Sequence, residues 1–75
     1  MAVVGEVQKN NTEKFIVEAK EFKGKRFVDV RVYYLDKKDD EYKPTKKGIT
    51  LTTNTYEPLI KLITEAYQKI QKEDI

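Results

Sequence analysis

Apolar and polar positions alternate through FIVEAKEF, residues 15–22. Phe15, Val17 and Ala19 fall on one side of an extended chain; Ile16, Glu18, Lys20 and Phe22 fall on the other. A period of two is the mark of a half-buried strand. KG at 23–24 follows, and Gly24 can take the positive φ that a tight hairpin turn demands. RFVDVRVYYL, residues 26–35, is rich in β-branched and aromatic side chains and predicts a second strand. It sets Val28, Val30 and Val32 on one face and Asp29, Arg31 and Tyr33 on the other. DKKDDEYKP, residues 36–44, breaks the alternation and reads as a charged hairpin loop. KKGITLT, residues 46–52, resumes a strand in which Gly48 marks a bulge or a close backbone approach. AVVGEVQ, residues 2–8, adds one short strand, with KNNTEK as its turn.

The C-terminal third changes period. Leu59, Ile63, Ala66 and Ile70 recur at three and four, joined by Ile60, Leu62 and Tyr67. That spacing predicts one amphipathic helix of about four to five turns. Thr52–Thr55 offer N-cap candidates, Pro58 suits the first turn, and Glu57/Lys61 and Glu65/Lys69 are pairs in the favourable i,i+4 order. The apolar stripe is wide for a helix on one small sheet, so a large loop or a second copy of the chain is expected to cover it. Tyr56 and Tyr67 are expected in the core or the dimer interface, and Tyr33 and Tyr42 in cross-strand contacts. The predicted order is strand, strand, strand, strand, helix, in a single domain over residues 1–75.

Composition narrows the function. The 75 residues include no cysteine, histidine or serine. That removes disulfides, the usual zinc ligands, the commonest general base and the serine nucleophile. No cluster of the remaining reactive types stands out, so neither an enzyme nor a metal or cofactor site is expected. DKKDDE lacks the spacing of a calcium loop. No apolar run approaches the roughly 20 residues of a membrane span, and MAVVGEV has no basic leader. An intracellular protein without a membrane partner is expected.

Charged residues make up 37% of the chain, yet the net charge is only +2. Their distribution matters more than their sum. Lys20, Lys23, Lys25 and Arg26 crowd around the first turn against the single acid Glu21. Lys43, Lys46 and Lys47 form a second patch. Two uses fit. Lysines can simply solubilise hairpin ends. Alternatively, Phe22 stacks on a base while the lysines meet phosphates, as on a single strand of nucleic acid.

The run EFKGKRFVDVRVYYLDKKDDEYKPTKKGITLT, in particular FKGK, VDVRVYY-LD and KPTKKGITL, closely resembles the core of the eukaryotic transcriptional coactivator positive cofactor four and its bacterial and phage relatives. The resemblance covers roughly residues 14–70. It implies an α+β fold, a curved four-stranded antiparallel sheet followed by one C-terminal helix (ββββα), assembled as a homodimer. It also implies sequence-nonspecific binding of single-stranded DNA, in transcription regulation or in DNA replication, recombination or repair. Phe22 and Tyr34 match the stacking aromatics. Lys20, Lys23, Lys25 and Arg31 match backbone contacts from the first hairpin; Lys43, Lys46 and Lys47 match those from the second. Gly48, Ile49 and Leu51 match structural positions near the dimer seam.

Two departures stand out: Tyr34 occupies a tryptophan position, and Thr45 a glycine position. Regular alternation puts Tyr34 on the valine face, away from Arg31, unless a bulge or strong curvature between 31 and 34 intervenes. Transcription or replication proteins are candidate partners. The location implied is the bacterial or host cytoplasm for a bacterial or phage protein, and the nucleus for a eukaryotic one. A contrasting reading is a structural dimerisation module whose lysines bind an acidic protein.

Overall fold

The computed structural model describes residues 2–72. Four strands form one antiparallel sheet in chain order: β1 (Ala2–Gln8), β2 (Glu13–Phe22), β3 (Lys25–Asp36) and β4 (Glu41–Thr52). Helix α1 (Tyr56–Gln71) follows. The expected ββββα order is therefore present.

Turn chemistry fixes the register of the central hairpin. Lys23 and Gly24 both have positive φ, 52° and 80°, the signature of a two-residue type I′ turn. Its twist matches that of the flanking strands, so β2 and β3 pair without a break from Phe22↔Lys25 to Glu13↔Tyr34. Paired residues share a face. Phe15, Val17 and Ala19 thus lie with Val32, Val30 and Val28, and across β4 with Ile49 and Leu51. Lys20 and Phe22 lie on the other face with Phe27, Asp29, Arg31 and Tyr33.

The β3–β4 ladder is irregular. Arg31 pairs with Gly48 and Tyr33 with Pro44, so Thr45–Lys47 stand opposite Val32 alone. The extra residues are in β4, an edge strand where a bulge and a proline are tolerated. Gly48 is required beside it: a Cβ there would sit 2.6 Å from the Val30 carbonyl oxygen.

β4 starts at Glu41, earlier than the sequence pattern suggests, and the charged loop shrinks to residues 37–40. The turn closes on itself. Asp36 accepts from the Lys38 amide through Oδ1, its carbonyl accepts from the Asp40 amide at 2.8 Å, and Asp40 takes φ 60°. Glu41, Tyr42 and Lys43 are then free to continue the ladder, despite a composition typical of loops.

The core is thin. Among the described residues only Val32, Leu51 and Asp29 are buried, and α1 buries none of its residues. Helix start and length are as the periodicity indicates, with Thr55 at the N-cap and Pro58 in the first turn. The Thr55 hydroxyl accepts from the Thr52 amide and does not cap the helix. Neither Glu57–Lys61 nor Glu65–Lys69 closes to an ion pair, since holding two long exposed side chains costs as much entropy as the contact returns. No loop among the described residues covers the helix: Tyr56, Ile60, Leu62, Ile63, Tyr67 and Ile70 are all exposed. Tyr56 and Tyr67 are therefore not core residues of this chain.

Candidate nucleic-acid interface

The tip of the β2–β3 hairpin carries the first group of candidate residues. Phe22 is 66% exposed although it is the last residue of a regular strand. Alternation points it away from the valine face. The Lys23 ammonium lies 5.3 Å from its ring centroid, a cation–π distance. One side of the ring meets that charge, and the other remains available to a planar group. Lys23 and Lys25 are exposed and form no ion pair among the described residues. Lys20, on the same face, is 3.8 Å from Glu18. Arg26 turns to Glu21 at 3.1 Å on the opposite face.

Arg31 sits midway along the ladder on the Phe22 face and is held tightly. Its Nε and Nη2 donate to the two carboxylate oxygens of Asp29 at 3.1 and 2.9 Å. Its Nη1 donates to the Thr45 carbonyl at 3.0 Å. The Asp29 carboxylate, in hydrogen-bond contact, raises the Arg31 pKa above its ordinary value. Much of its donor capacity is thus committed within the protein.

The second group lies at the far end of the ladder, roughly 30 Å from Phe22 at about 3.3 Å per residue. Tyr34 pairs with Glu13 and Lys43 and is 40% exposed. Because the bulge is in β4, β3 runs straight against β2, and Tyr34 stays on the valine face opposite to Phe22 and Arg31. Lys43 beside it is doubly paired, 2.8 Å from Asp39 and 2.9 Å from Asp36. Those hydrogen bonds, Asp39 first, raise the Lys43 pKa; the bond from Lys43 and then the Lys38 amide lower that of Asp36. Lys46 and Lys47 ride on the bulge, exposed and without an ion pair among the described residues. Lys47 is near enough to Glu13 to help lower its pKa, though the Asn10 and Lys9 side-chain bonds do more.

Two contributions, from Asp29 and Thr45, escaped the sequence reading. Asp29 is 2% exposed and exists to pair with Arg31, a relation its i,i+2 position on the same strand face could have signalled. Thr45 bonds the bulge internally. Tyr42 makes its cross-strand contact with a cation, the Lys14 ammonium 4.0 Å from its ring centroid. Tyr33 pairs across the strands with Lys14 and Pro44. Among the described residues, no helix is long and apolar enough to cross a membrane, and no group of acids is placed to hold a metal ion.

Residues 9–62 match the family described as Transcriptional Coactivator p15 (PC4). The chain is 44% identical over 45 residues to the RNA polymerase II transcriptional coactivator SUB1 of Saccharomyces cerevisiae, a stretch covering 60% of this chain and 15% of that protein. It is 40% identical over 63 residues to the RNA polymerase II transcriptional coactivator KELP of Arabidopsis thaliana, covering 80% and 37% respectively. The chain thus spans well under half the length of these relatives. Among solved structures it resembles BPSL1147, a PC4 homolog from Burkholderia pseudomallei, with 27% identity, a TM-score of 0.79 and 89% of each chain covered. The fold is also that of the bacteriophage T5 homolog of PC4, a protein implicated in recombination-dependent DNA replication. There identity is 24%, the TM-score 0.59, and coverage 93% of this chain and 80% of that one.

Proposed function

Because the chain belongs to the Transcriptional Coactivator p15 (PC4) family, we propose that it binds single-stranded DNA without sequence preference, as a homodimer, in the service of transcription. Replication, recombination or repair are further settings in which such binding acts. The observation that carries this reading is Phe22: a large aromatic ring, 66% exposed, at the end of β2 beside a tight turn and next to Lys23 and Lys25, which form no ion pair among the described residues. Bases in a single strand present their faces, and each stack on an aromatic ring is worth about 1–3 kcal/mol. Lysines meet phosphates without reading sequence. Lys20, Lys23, Lys25, Lys46 and Lys47 supply the phosphate contacts, Phe22 the stacking surface, and Arg31 and Lys43 weaker contacts limited by their internal partners; Tyr34, on the opposite face of the sheet, is left out of the stacking surface.

The second copy is supported by what one copy leaves open. The valine face has a hollow of about 650 Å³ beside Ala19, Val28, Leu51 and Tyr56. The apolar residues of α1 are uncovered. A two-fold partner applied to residues 49–51 and 59–70 would fill both at once.

The test is a titration of single-stranded DNA, blunt duplex and RNA at two salt concentrations. Single-stranded DNA is expected to bind more tightly than duplex, with log affinity falling by about 0.7 per phosphate neutralised for each decade of salt. Equal affinity for duplex and single strand refutes the proposal. In sedimentation, the wild type is expected to run as a dimer at micromolar concentration and Ile63→Asp as monomer or unfolded chain; a stable wild-type monomer counts against the pairing. The unpaired lysines also suit an acidic protein segment. In that case removing the Phe22 ring leaves binding unchanged.

A further inference from the structure

The bulge of β4 is held by side chains where a regular strand would use its ladder. The Thr45 hydroxyl donates to the Val32 carbonyl at 2.7 Å and accepts from the Lys47 amide at 3.1 Å. The Thr45 carbonyl accepts from Arg31 Nη1, and Arg31 is clamped along its Nε–Nη2 edge by both oxygens of the buried Asp29 carboxylate. Gly48 closes the far side of the bulge against the backbone of Val30 and Arg31. One connected set of bonds therefore runs from Asp29 to the backbone amide of Lys47.

We propose that Asp29, Arg31 and Thr45 form a brace that positions Lys46 and Lys47 for phosphate contact, a role that rests on the single-strand reading above. Extra residues in a bulge have no ladder partners of their own. Without the Thr45 hydroxyl, the Val32 carbonyl and the Lys47 amide both lose a partner, and the segment between Pro44 and Gly48 gains alternative conformations. Lysines on a wandering segment must be ordered when the ligand arrives, and that entropy is subtracted from affinity. Lysines on a braced segment are already in place. The Asp29 clamp contributes by holding the Arg31 fork in one orientation, because a bidentate carboxylate pair fixes the plane as well as the distance. Arg31 and Asp29 are thus positioning residues for the neighbouring cations, whatever phosphate contact the remaining Arg31 N–H groups make.

The substitution that isolates this role is Thr45→Val, which keeps the branched shape and removes the hydroxyl; Thr45→Ser restores it. Binding of oligothymidine is measured across a salt series, alongside hydrogen exchange at the Lys47 amide. Thr45→Val is expected to speed Lys47 exchange and to flatten the salt slope by up to about 1.4, two lysine–phosphate contacts at roughly 0.7 each. Thr45→Ser is expected to recover both. In a Lys46→Ala/Lys47→Ala background, Thr45→Val is expected to have no further effect on binding, since the groups it positions are gone. A Thr45→Val slope equal to wild type overturns the proposal, as does a loss that persists undiminished in the double-alanine background. Should Thr45→Val fail to fold, Arg31→Lys serves: it keeps the charge but loses the fork, and an unchanged salt slope there overturns the brace equally. Failure of the wild type to bind oligothymidine is a different result, seen in its own titration, and it removes the single-strand reading on which the brace depends.

Discussion

The two ends of the β2–β3 ladder are built from similar residues and behave differently. At the turn end, Lys23 and Lys25 form no ion pair among the described residues and flank the exposed Phe22, beside a turn whose backbone is fixed by two positive φ angles. At the other end, Tyr34 and Lys43 sit among Asp36, Asp39 and Glu13, and Lys43 is already neutralised twice. The lesson is that a lysine's place in a basic patch says little about its availability. What counts is the charge left over once local acids have been served, and a surface pair that is screened by its own partner attracts a phosphate weakly.

The largest effect that separates the ends is expected from the aromatics. Phe22→Ala should weaken single-strand binding by about 1–3 kcal/mol with a melting temperature near wild type, because the ring touches solvent and not core. Tyr34→Ala should lose less affinity and more thermal stability, since its ring stands at the margin of the valine face. Binding and melting measured on both variants decide the matter; a Phe22→Ala protein that melts and binds as wild type removes the stacking platform.

A smaller effect distinguishes the lysines. Lys25→Ala should flatten the salt dependence by about 0.7, the loss of one phosphate contact, and Lys43→Ala by distinctly less. Equal slopes for the two variants would erase the contrast between the ends.

The smallest is a pH effect. Asp36 titrates below its ordinary value of 3.8 because Lys43, then the Lys38 amide, donate to it. Its contribution to stability is therefore complete above 3.8 and fades as pH falls through the lower value of the folded state. Lys43 is raised above 10.5, by Asp39 and then Asp36, so its share is lost only as pH rises through that raised value. Asp36→Asn is expected to melt slightly below wild type at neutral pH, with the gap closing in acid. At neutral pH the same variant is expected to bind single strands slightly better, since Lys43 then keeps one acidic partner, Asp39, in place of two. A gap in melting temperature that does not change with pH would dissociate Asp36 from this pair.

How much of this was legible in the sequence depended on whether the physics was local. β2, β3 and α1 declared themselves because their periods of two and 3.6 arise from backbone geometry alone. Lys23-Gly24 announced its turn, and Gly48 its close approach, because few residues other than glycine can serve there. The start of β4 was hidden: Glu41–Lys43 are charged, and what keeps them extended is pairing with Asp36, Leu35 and Tyr34 across the hairpin. The division of the site was hidden for the same reason. Alternation along β3 did place Tyr34 among the valines. The location of the bulge, in β4 and not in β3, depended on bonds from Thr45 to residues a strand away. Whether a given lysine is free or engaged also depends on non-neighbours, and composition carries no trace of that.

Helix α1 runs for 16 residues with no buried side chain of its own chain's making. A lone helix of this length lies at the edge of stability in water. For an obligate pair, each tenfold dilution removes about 1.4 kcal/mol from the folded state. In the proposed dimer, copy number would act as a quality control: a scarce chain would leave its helix to fray and offer proteases an entry, and a plentiful one would shield the same segment. A protein so arranged is cleared fastest when it is too dilute to work.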